Sequence, residues 1–289
     1  MLDENNLDIE MIDDNILVVH NALRDPEALI DYYEDYGDWK GWYGFGRQID
    51  ARADTFHSHP HFPTWEDWQN LLNNPEISND ERPYRIDVAR AFHLATKAYM
   101  EKTGRDLPNW TSQAWGLARY IPDEDLINNP DLTMNYHTDF VADDAESPGD
   151  KFGITAVIYP NDDYEGGEIS FRVISPEETV AKEVSYKPKA GDIVVFPSGH
   201  PYYHGVRRIS GGPKYIIRLY WMYNFEGTED WHNLKEKYGD EFEELERDRR
   251  NRHYLMNAEP FLRPRYCCLK EYYQWKEDGT LPEDGSQWN

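Results

Sequence analysis

Only two cysteines occur in 289 residues, Cys267 and Cys268, and they are neighbours. Adjacent cysteines are poor partners for an ordinary disulfide, so the sequence gives no basis for a disulfide framework and suits a reducing compartment. Long apolar runs are also missing, none approaching the roughly 18 residues that a membrane-spanning helix needs. The stretch from Met1 to Asp8 has neither the basic opening nor the apolar centre of a signal peptide, and cytoplasmic residence is the expectation. Positive charge is the third shortage: Lys and Arg number 30 against 55 for Asp and Glu, a formal charge of −25. A field of that sign repels phosphate backbones and anionic lipid, so neither a nucleic-acid partner nor a membrane surface is expected.

What is present suffices for one large core. Asn15 to His20 reads as a short buried strand, and Asp25-Pro26-Glu27 opens a helix running to Tyr36. Asp38 to Pro63 is rich in Gly, Trp, Tyr and His without a steady period and reads as a long ordered loop. Within it His57, His59 and His61 alternate, but Pro60 interrupts them and no carboxylate or cysteine joins them at ligand spacing. Thr64 to Asn73 and Tyr84 to Lys102 carry helical periodicity, the second ended by Gly104.

Strand candidates then follow closely, at 111–120, 133–139, 152–159, 168–173, 183–187, 192–196, 202–208 and 214–223, separated by Asn-Asp-Asp, Gly-Gly, Lys-Ala-Gly and Ser-Gly-Gly-Pro turns. About eight short strands at this spacing point to a jelly roll or barrel. The expected fold is mainly β with flanking helices (α+β). Its divisions are N-terminal helices and loops over 1–109, a β core over 110–224, and a C-terminal extension over 225–289 that opens with a charged helix from Asp230 to Arg249.

His137-Thr138-Asp139 puts an imidazole and a carboxylate two residues apart, hence on one face of an extended strand. A later strand carries His204. Two histidines and one carboxylate on one side of a cation leave its other positions open, the facial arrangement of non-haem Fe(II) oxygenases.

His137-Thr-Asp139, Ile154-Thr-Ala-Val-Ile-Tyr-Pro-Asn-Asp162, Tyr164-Glu-Gly-Gly-Glu-Ile-Ser-Phe171, Gly191-Asp-Ile-Val-Val-Phe-Pro-Ser198 with His204-Gly-Val206, and Gly212-Pro-Lys-Tyr-Ile-Ile-Arg-Leu-Tyr-Trp221 follow in order. Together they resemble the core of the Fe(II)- and 2-oxoglutarate-dependent dioxygenases, with the prolyl 4-hydroxylase-like branch the nearest in pattern, over about Trp110 to Tyr223. The resemblance implies a double-stranded β-helix and Fe(II) held by His137, Asp139 and His204. It also implies 2-oxoglutarate and O2 as cosubstrates, with ascorbate as an accessory. Lys214, ten residues beyond His204, takes the place of the cation that holds the far carboxylate of 2-oxoglutarate. Arg218, on the same strand face, is the alternative anchor or a substrate contact. Tyr120 and Tyr159 fall where the family places phenols near the cosubstrate, and Tyr136 and Trp221 are candidate substrate contacts.

The implied reaction is hydroxylation of an unactivated C–H with succinate and CO2 as coproducts, and the retained carboxylate of Asp139 favours hydroxylation over halogenation. A protein or peptide substrate is expected. A hydroxylase of free amino acids or other small molecules, and a jelly-roll binding module without turnover, are the alternatives. The connection from Tyr120 to His137 is longer than the family's usual one and borders the expected site mouth, which leaves the substrate open. Neither the oligomeric state nor a role for the C-terminal extension follows from the sequence.

Overall fold

The structure is a computed structural model that describes residues 7–36, 40–44, 47–53, 73, 75, 82–104, 110–112, 116–122, 131–139, 154–173, 181–198, 202–223 and 229–242. The strands are β1 (Asp8–Asp13), β2 (Ile16–His20), β3 (Lys40–Gly44), β4 (Arg47–Ala53), β5 (Trp110–Ser112), β6 (Gly116–Tyr120), β7 (Leu132–His137), β8 (Ile154–Tyr159), β9 (Glu165–Gly166), β10 (Ile169–Val173), β11 (Lys182–Tyr186), β12 (Asp192–Pro197), β13 (Tyr202–Arg207), β14 (Ile209–Ser210) and β15 (Lys214–Tyr223). Among the described residues the helices are α1 (Pro26–Tyr36), α2 (Arg82–Thr103) and α3 (Glu229–Tyr238).

Two sheets face each other. The larger runs β1-β2-β12-β8-β15-β6-β4-β3, with β5 also on β15, and the smaller runs β11-β10-β13-β7. This is the double-stranded β-helix. Residues of β8 and β12 are buried throughout, which explains why both read as continuous apolar runs and not as alternating ones. One face of each enters the space between the sheets: Val157, Tyr159, Val194 and Phe196 meet Phe171, Met134 and Val206 there. The other face meets the helices, where Ile158, Ile193, Val195, Ile217, Leu219 and Trp221 share a core with Val88, Phe92, Ala95 and Tyr99 of α2. Helix α2 therefore covers the outer face of the large sheet.

Among these buried groups Asp192 is a carboxylate, 1% exposed, and its charge is met on every side. The Lys189 amide and the Tyr186 hydroxyl donate to its Oδ2, and His20 Nδ1 lies 3.1 Å from its Oδ1. These contacts tie β2 to β12, consistent with the need to pair any buried charge.

The N-terminal part differs from the sequence reading. Residues 38–63 do not form one long loop: β3 and β4 are a hairpin lying inside that span, and β4 extends the large sheet by pairing with β6, Ile49 opposite Tyr120 and Ala51 opposite Ala118. The alternation of Ile49, Ala51 and Ala53 with polar residues carried that signal, masked by the Gly, Trp and Tyr around it. Strand β1 was also absent from the sequence reading; it pairs with β2. The 111–120 strand is two strands, β5 and β6. The charged helix ends at Tyr238, followed by a single 3-10 turn in which Gly239 adopts φ +54°. The histidines at 57, 59 and 61, most of the 64–73 helix and everything beyond 242 lie outside the described residues.

One turn is fixed by glycine alone. Gly166 has φ +65°, and a Cβ there would stand 1.9 Å from the Arg208 carbonyl oxygen across the β9–β14 pair. Gly166→Ala is expected to destabilise the fold by about 3 kcal/mol or more, from strain and displaced backbone together. Thermal unfolding checks this, with a fall in Tm of roughly 5–10 °C expected.

Candidate metal and cosubstrate site

The antiparallel register of β13 on β7 sets His204 directly opposite His137. Their rings lie 4.4 Å apart between centroids and are tilted by 48°. Two residues past His137 the chain leaves β7, and the Asp139 amide donates to the Ser198 carbonyl at 2.8 Å. That bond brings Asp139 between the two rings: Oδ1 is 3.7 Å from His137 Nε2 and Oδ2 is 3.5 Å from His204 Nε2. One ligand atom from each of the three lies within 4.8 Å of the others. Among the described residues this is the group with the geometry to hold a metal ion.

The donors are poised as a metal requires. His137 Nδ1 stands 2.9 Å from the Asn135 carbonyl, so its N–H donates there and Nε2 keeps its lone pair toward the cluster. The Asp139 side chain is only 4% exposed. Burial alone would raise its pKa, but the facing His204 and His137 side chains and the Arg218 guanidinium outweigh it and hold the carboxyl well below the usual range. The group is an anion facing two imidazoles, a donor set suited to Fe(II).

Two residues that the sequence did not reveal fix that anion. Thr155 Oγ1 donates to Asp139 Oδ2 at 2.6 Å and in turn accepts from Ser198 Oγ at 2.7 Å. Tyr220 donates to Oδ1 at 3.0 Å. Its phenol stays protonated because burial, opposed by Arg218 and reinforced by Asp139, raises its pKa well above normal. Tyr220 lies six residues beyond Lys214, so strand periodicity puts it on the same face, and that spacing was the available clue.

Strand β15 thus presents Lys214, Ile216, Arg218 and Tyr220 in sequence to the space between the sheets. Lys214 is 1% exposed. Its ammonium donates to the Gly167 carbonyl at 2.5 Å and sits 4.8 Å from the Tyr159 ring and 5.5 Å from the Tyr164 ring. No carboxylate forms an ion pair with it among the described residues. Burial, followed by the neighbouring Lys187 charge, brings its pKa down to about 7. Tyr120 is the cross-strand partner of Lys214 on β6, but its hydroxyl points to the Met134 sulfur, 4.0 Å away. Burial pushes that phenol up to about 12. Arg218 stacks its guanidinium 4.6 Å from the Tyr220 ring, within electrostatic reach of Asp139.

Two expected substrate contacts lie elsewhere. Tyr136 alternates with His137 and faces the opposite side of β7, where its hydroxyl meets Ser170 and Glu183 and its ring lies 4.0 Å beneath Arg172. Trp221 is fully buried in the helix-facing core, its indole N–H donating to Thr96 of α2 at 3.0 Å. Both corrections have one cause, the two-residue period that sends neighbours of a site residue to the far face.

Residues 126–223 match the family model of the 2OG-Fe(II) oxygenase superfamily. Prolyl 3-hydroxylase 2 of Rattus norvegicus is 36% identical over 66 residues, 23% of this chain and 9% of that protein, and prolyl 3-hydroxylase 2 of Homo sapiens matches to the same extent. The alignment thus spans about a tenth of these curated relatives. A Pseudomonas putida prolyl-4-hydroxylase crystal structure superposes with a TM-score of 0.43 at 16% identity, covering 73% of this chain and 93% of that one.

Proposed function

We propose that this chain, whose residues 126–223 match the family model of the 2OG-Fe(II) oxygenase superfamily, is a 2-oxoglutarate-dependent dioxygenase that hydroxylates prolyl residues of a protein or peptide. The observation that carries this reading is the pairing of the His137/Asp139/His204 cluster with a buried Lys214 that forms no ion pair with a carboxylate among the described residues, both within the same barrel interior. A buried cation with which no carboxylate forms an ion pair among the described residues suits a dicarboxylate entering a protein with net charge −25.

His137 Nε2, His204 Nε2 and an oxygen of Asp139 would hold Fe(II). So bound, the metal supplies O2 activation coupled to decarboxylation, by which R–H, O2 and 2-oxoglutarate become R–OH, succinate and CO2. The residues of the chain do the rest. Thr155 and Tyr220 orient the Asp139 carboxylate, and the Asn135 carbonyl fixes the tautomer of His137. Lys214 takes the distal carboxylate of the cosubstrate, with the Tyr159 ring as wall and Tyr120 behind it. Arg218, between Lys214 and Tyr220 along β15, neutralises the end of the cosubstrate nearer the metal. The apolar residues between the sheets exclude water from that path. Ascorbate as accessory reductant and residence in the cytoplasm belong to the same proposal; the scarcity of cysteine supports the latter. Among the described residues no helix is long and apolar enough to cross a membrane.

The curated relatives are named for 3-hydroxylation, so carbon 3 of the ring stands beside carbon 4 as the target. Incubating the Fe(II)-loaded protein with 2-oxoglutarate and either proline-containing peptides or free amino acids tests the reading. Peptides are expected to raise succinate release above background and to gain one oxygen. Stimulation by free amino acids alone would transfer the assignment to a small-molecule hydroxylase.

A further inference from the structure

Beside the cosubstrate anchor stands a second lysine that the chemistry above does not use. Lys187, just past β11, donates to the Tyr164 carbonyl at 2.9 Å and to the Gly166 carbonyl at 2.5 Å. Its ammonium also lies 3.6 Å from the centre of the Tyr164 ring. The turn it grips continues into Gly167, whose carbonyl accepts from Lys214 and whose amide donates to Arg208. Gly166 and Gly167 have φ +65° and +71°, so the turn follows a path open mainly to glycine and takes little stiffness from its own side chains. The Tyr164 ring lies within reach of both ammoniums, and its hydroxyl is buried without a hydrogen-bond partner among the described residues.

We propose that Lys187 is a positioning residue for the cosubstrate: it clamps the turn from Tyr164 to Gly167 so that the Gly167 carbonyl and the Tyr164 ring hold the Lys214 ammonium ready for a dicarboxylate. The inference rests on Lys214 being the 2-oxoglutarate anchor. Lys187 acts on Lys214 in two ways, through the shared turn and through charge. The groups facing Lys214 are Tyr120 of β6, Tyr159 of β8, Tyr164 and Glu168 around the turn, and Lys187 itself. Glu168 favours the ammonium while Lys187 and burial oppose it. On its other side Lys187 feels Glu168 and Asp162, both favouring its charge against burial. With its site empty, Lys214 gives up its proton more readily than a solvated lysine, its pKa lowered to about 7 chiefly by burial, and an arriving dianion favours the protonated form.

The test is calorimetric binding of 2-oxoglutarate to the anaerobic Fe(II)-loaded protein between pH 6 and 9, comparing wild type, Lys187→Met, Lys187→Arg and Lys214→Met. At pH 6, where Lys214 is protonated in either background, Lys187→Met is expected to bind about tenfold more weakly, as loss of a charge-assisted contact implies. Its alkaline loss of affinity should move to higher pH, because a like charge beside Lys214 has gone. Lys187→Arg, which keeps a cationic donor over the ring, should recover most of the affinity. Equal affinity of Lys187→Met and wild type at pH 6 overturns the proposal, as does a weakening that is constant across pH. Should Lys187→Met fail to fold, Lys187→Gln takes its place: weaker binding at pH 6 with the alkaline loss of affinity moved to higher pH supports the proposal, and wild-type affinity at pH 6 overturns it. Failure of wild type itself to bind 2-oxoglutarate, or unimpaired binding by Lys214→Met, would instead strike the anchor assignment beneath it.

Discussion

Asp139→Ala is expected to abolish stoichiometric Fe(II) binding and to lower 2-oxoglutarate turnover about a thousandfold, the factor that roughly 4 kcal/mol of lost transition-state stabilisation represents. The reason is the position of that carboxylate, within 3.7 Å of one imidazole and 3.5 Å of the other. Without it two neutral nitrogens remain, a weak set for a hard divalent ion. The substitution also removes the acceptors to which the hydroxyls of Thr155 and Tyr220 now donate. Each buried donor left unmet costs about 1–3 kcal/mol, so a modest loss of stability should accompany the loss of metal. Asp139→Asn separates the two effects: it keeps an acceptor for one hydroxyl and removes the charge. Fe(II) equilibrium dialysis and a succinate assay on both variants check the prediction, and metal binding by Asp139→Ala at wild-type strength would contradict it.

Lys214→Met should raise the 2-oxoglutarate concentration for half-saturation by about a hundredfold, equivalent to the roughly 3 kcal/mol that a hydrogen bond to a charged group can reach. The same change should leave the ligand-free protein at least as stable as wild type. A buried ammonium whose contacts are one carbonyl and two aromatic rings is costly to desolvate, and methionine fills its space without charge. Opposite signs for binding and stability mark a residue kept for its ligand. A lysine kept for the fold would lose both together.

The pH dependence follows from the same burial. Lys214 falls from an ordinary 10.5 to about 7, so wild-type affinity for 2-oxoglutarate should be greatest below pH 7 and decline above it. Stability runs the other way. The unfolded chain keeps its proton up to about pH 10.5 while the folded one releases it near 7, so between those values this group makes the ligand-free fold steadily more stable as pH rises. Half-saturation measured from pH 6 to 9, with unfolding followed over the same range, checks both slopes.

The core of this fold was legible because its strands carry strong local signals. β8 and β12 are largely apolar on both faces, and the bounds of β15 at Lys214 and Tyr223 were legible from the Gly-Gly-Pro that precedes it and the Asn224 that follows. The His137, Asp139 and His204 cluster was legible from the ordered motifs around it, although Asp139 lies just past the end of β7 and reaches the two imidazoles through its amide bond to Ser198, not through strand alternation. Other parts were hidden by physics that acts at a distance. Whether β3 and β4 pair depends on the free edge of β6, which no local period announces. Thr155 and Tyr220 are ordinary core residues until the Asp139 amide bonds to Ser198 and carries the carboxylate to them. Tyr136 and Trp221 point away from the site because strand alternation turns each to the face opposite its neighbour, a two-residue period present in the sequence.

A single turnover puts the chemistry to its most direct test: load the protein anaerobically with one equivalent each of Fe(II) and 2-oxoglutarate and an excess of a proline-containing peptide that supports turnover, admit O2, and count succinate. Close to one succinate per chain in wild type, and almost none in Asp139→Ala or Lys214→Met, is the expected result. Undiminished succinate from either variant, or unconsumed 2-oxoglutarate in a wild-type protein that has bound its iron, would contradict a ferrous centre fed by a lysine-held diacid.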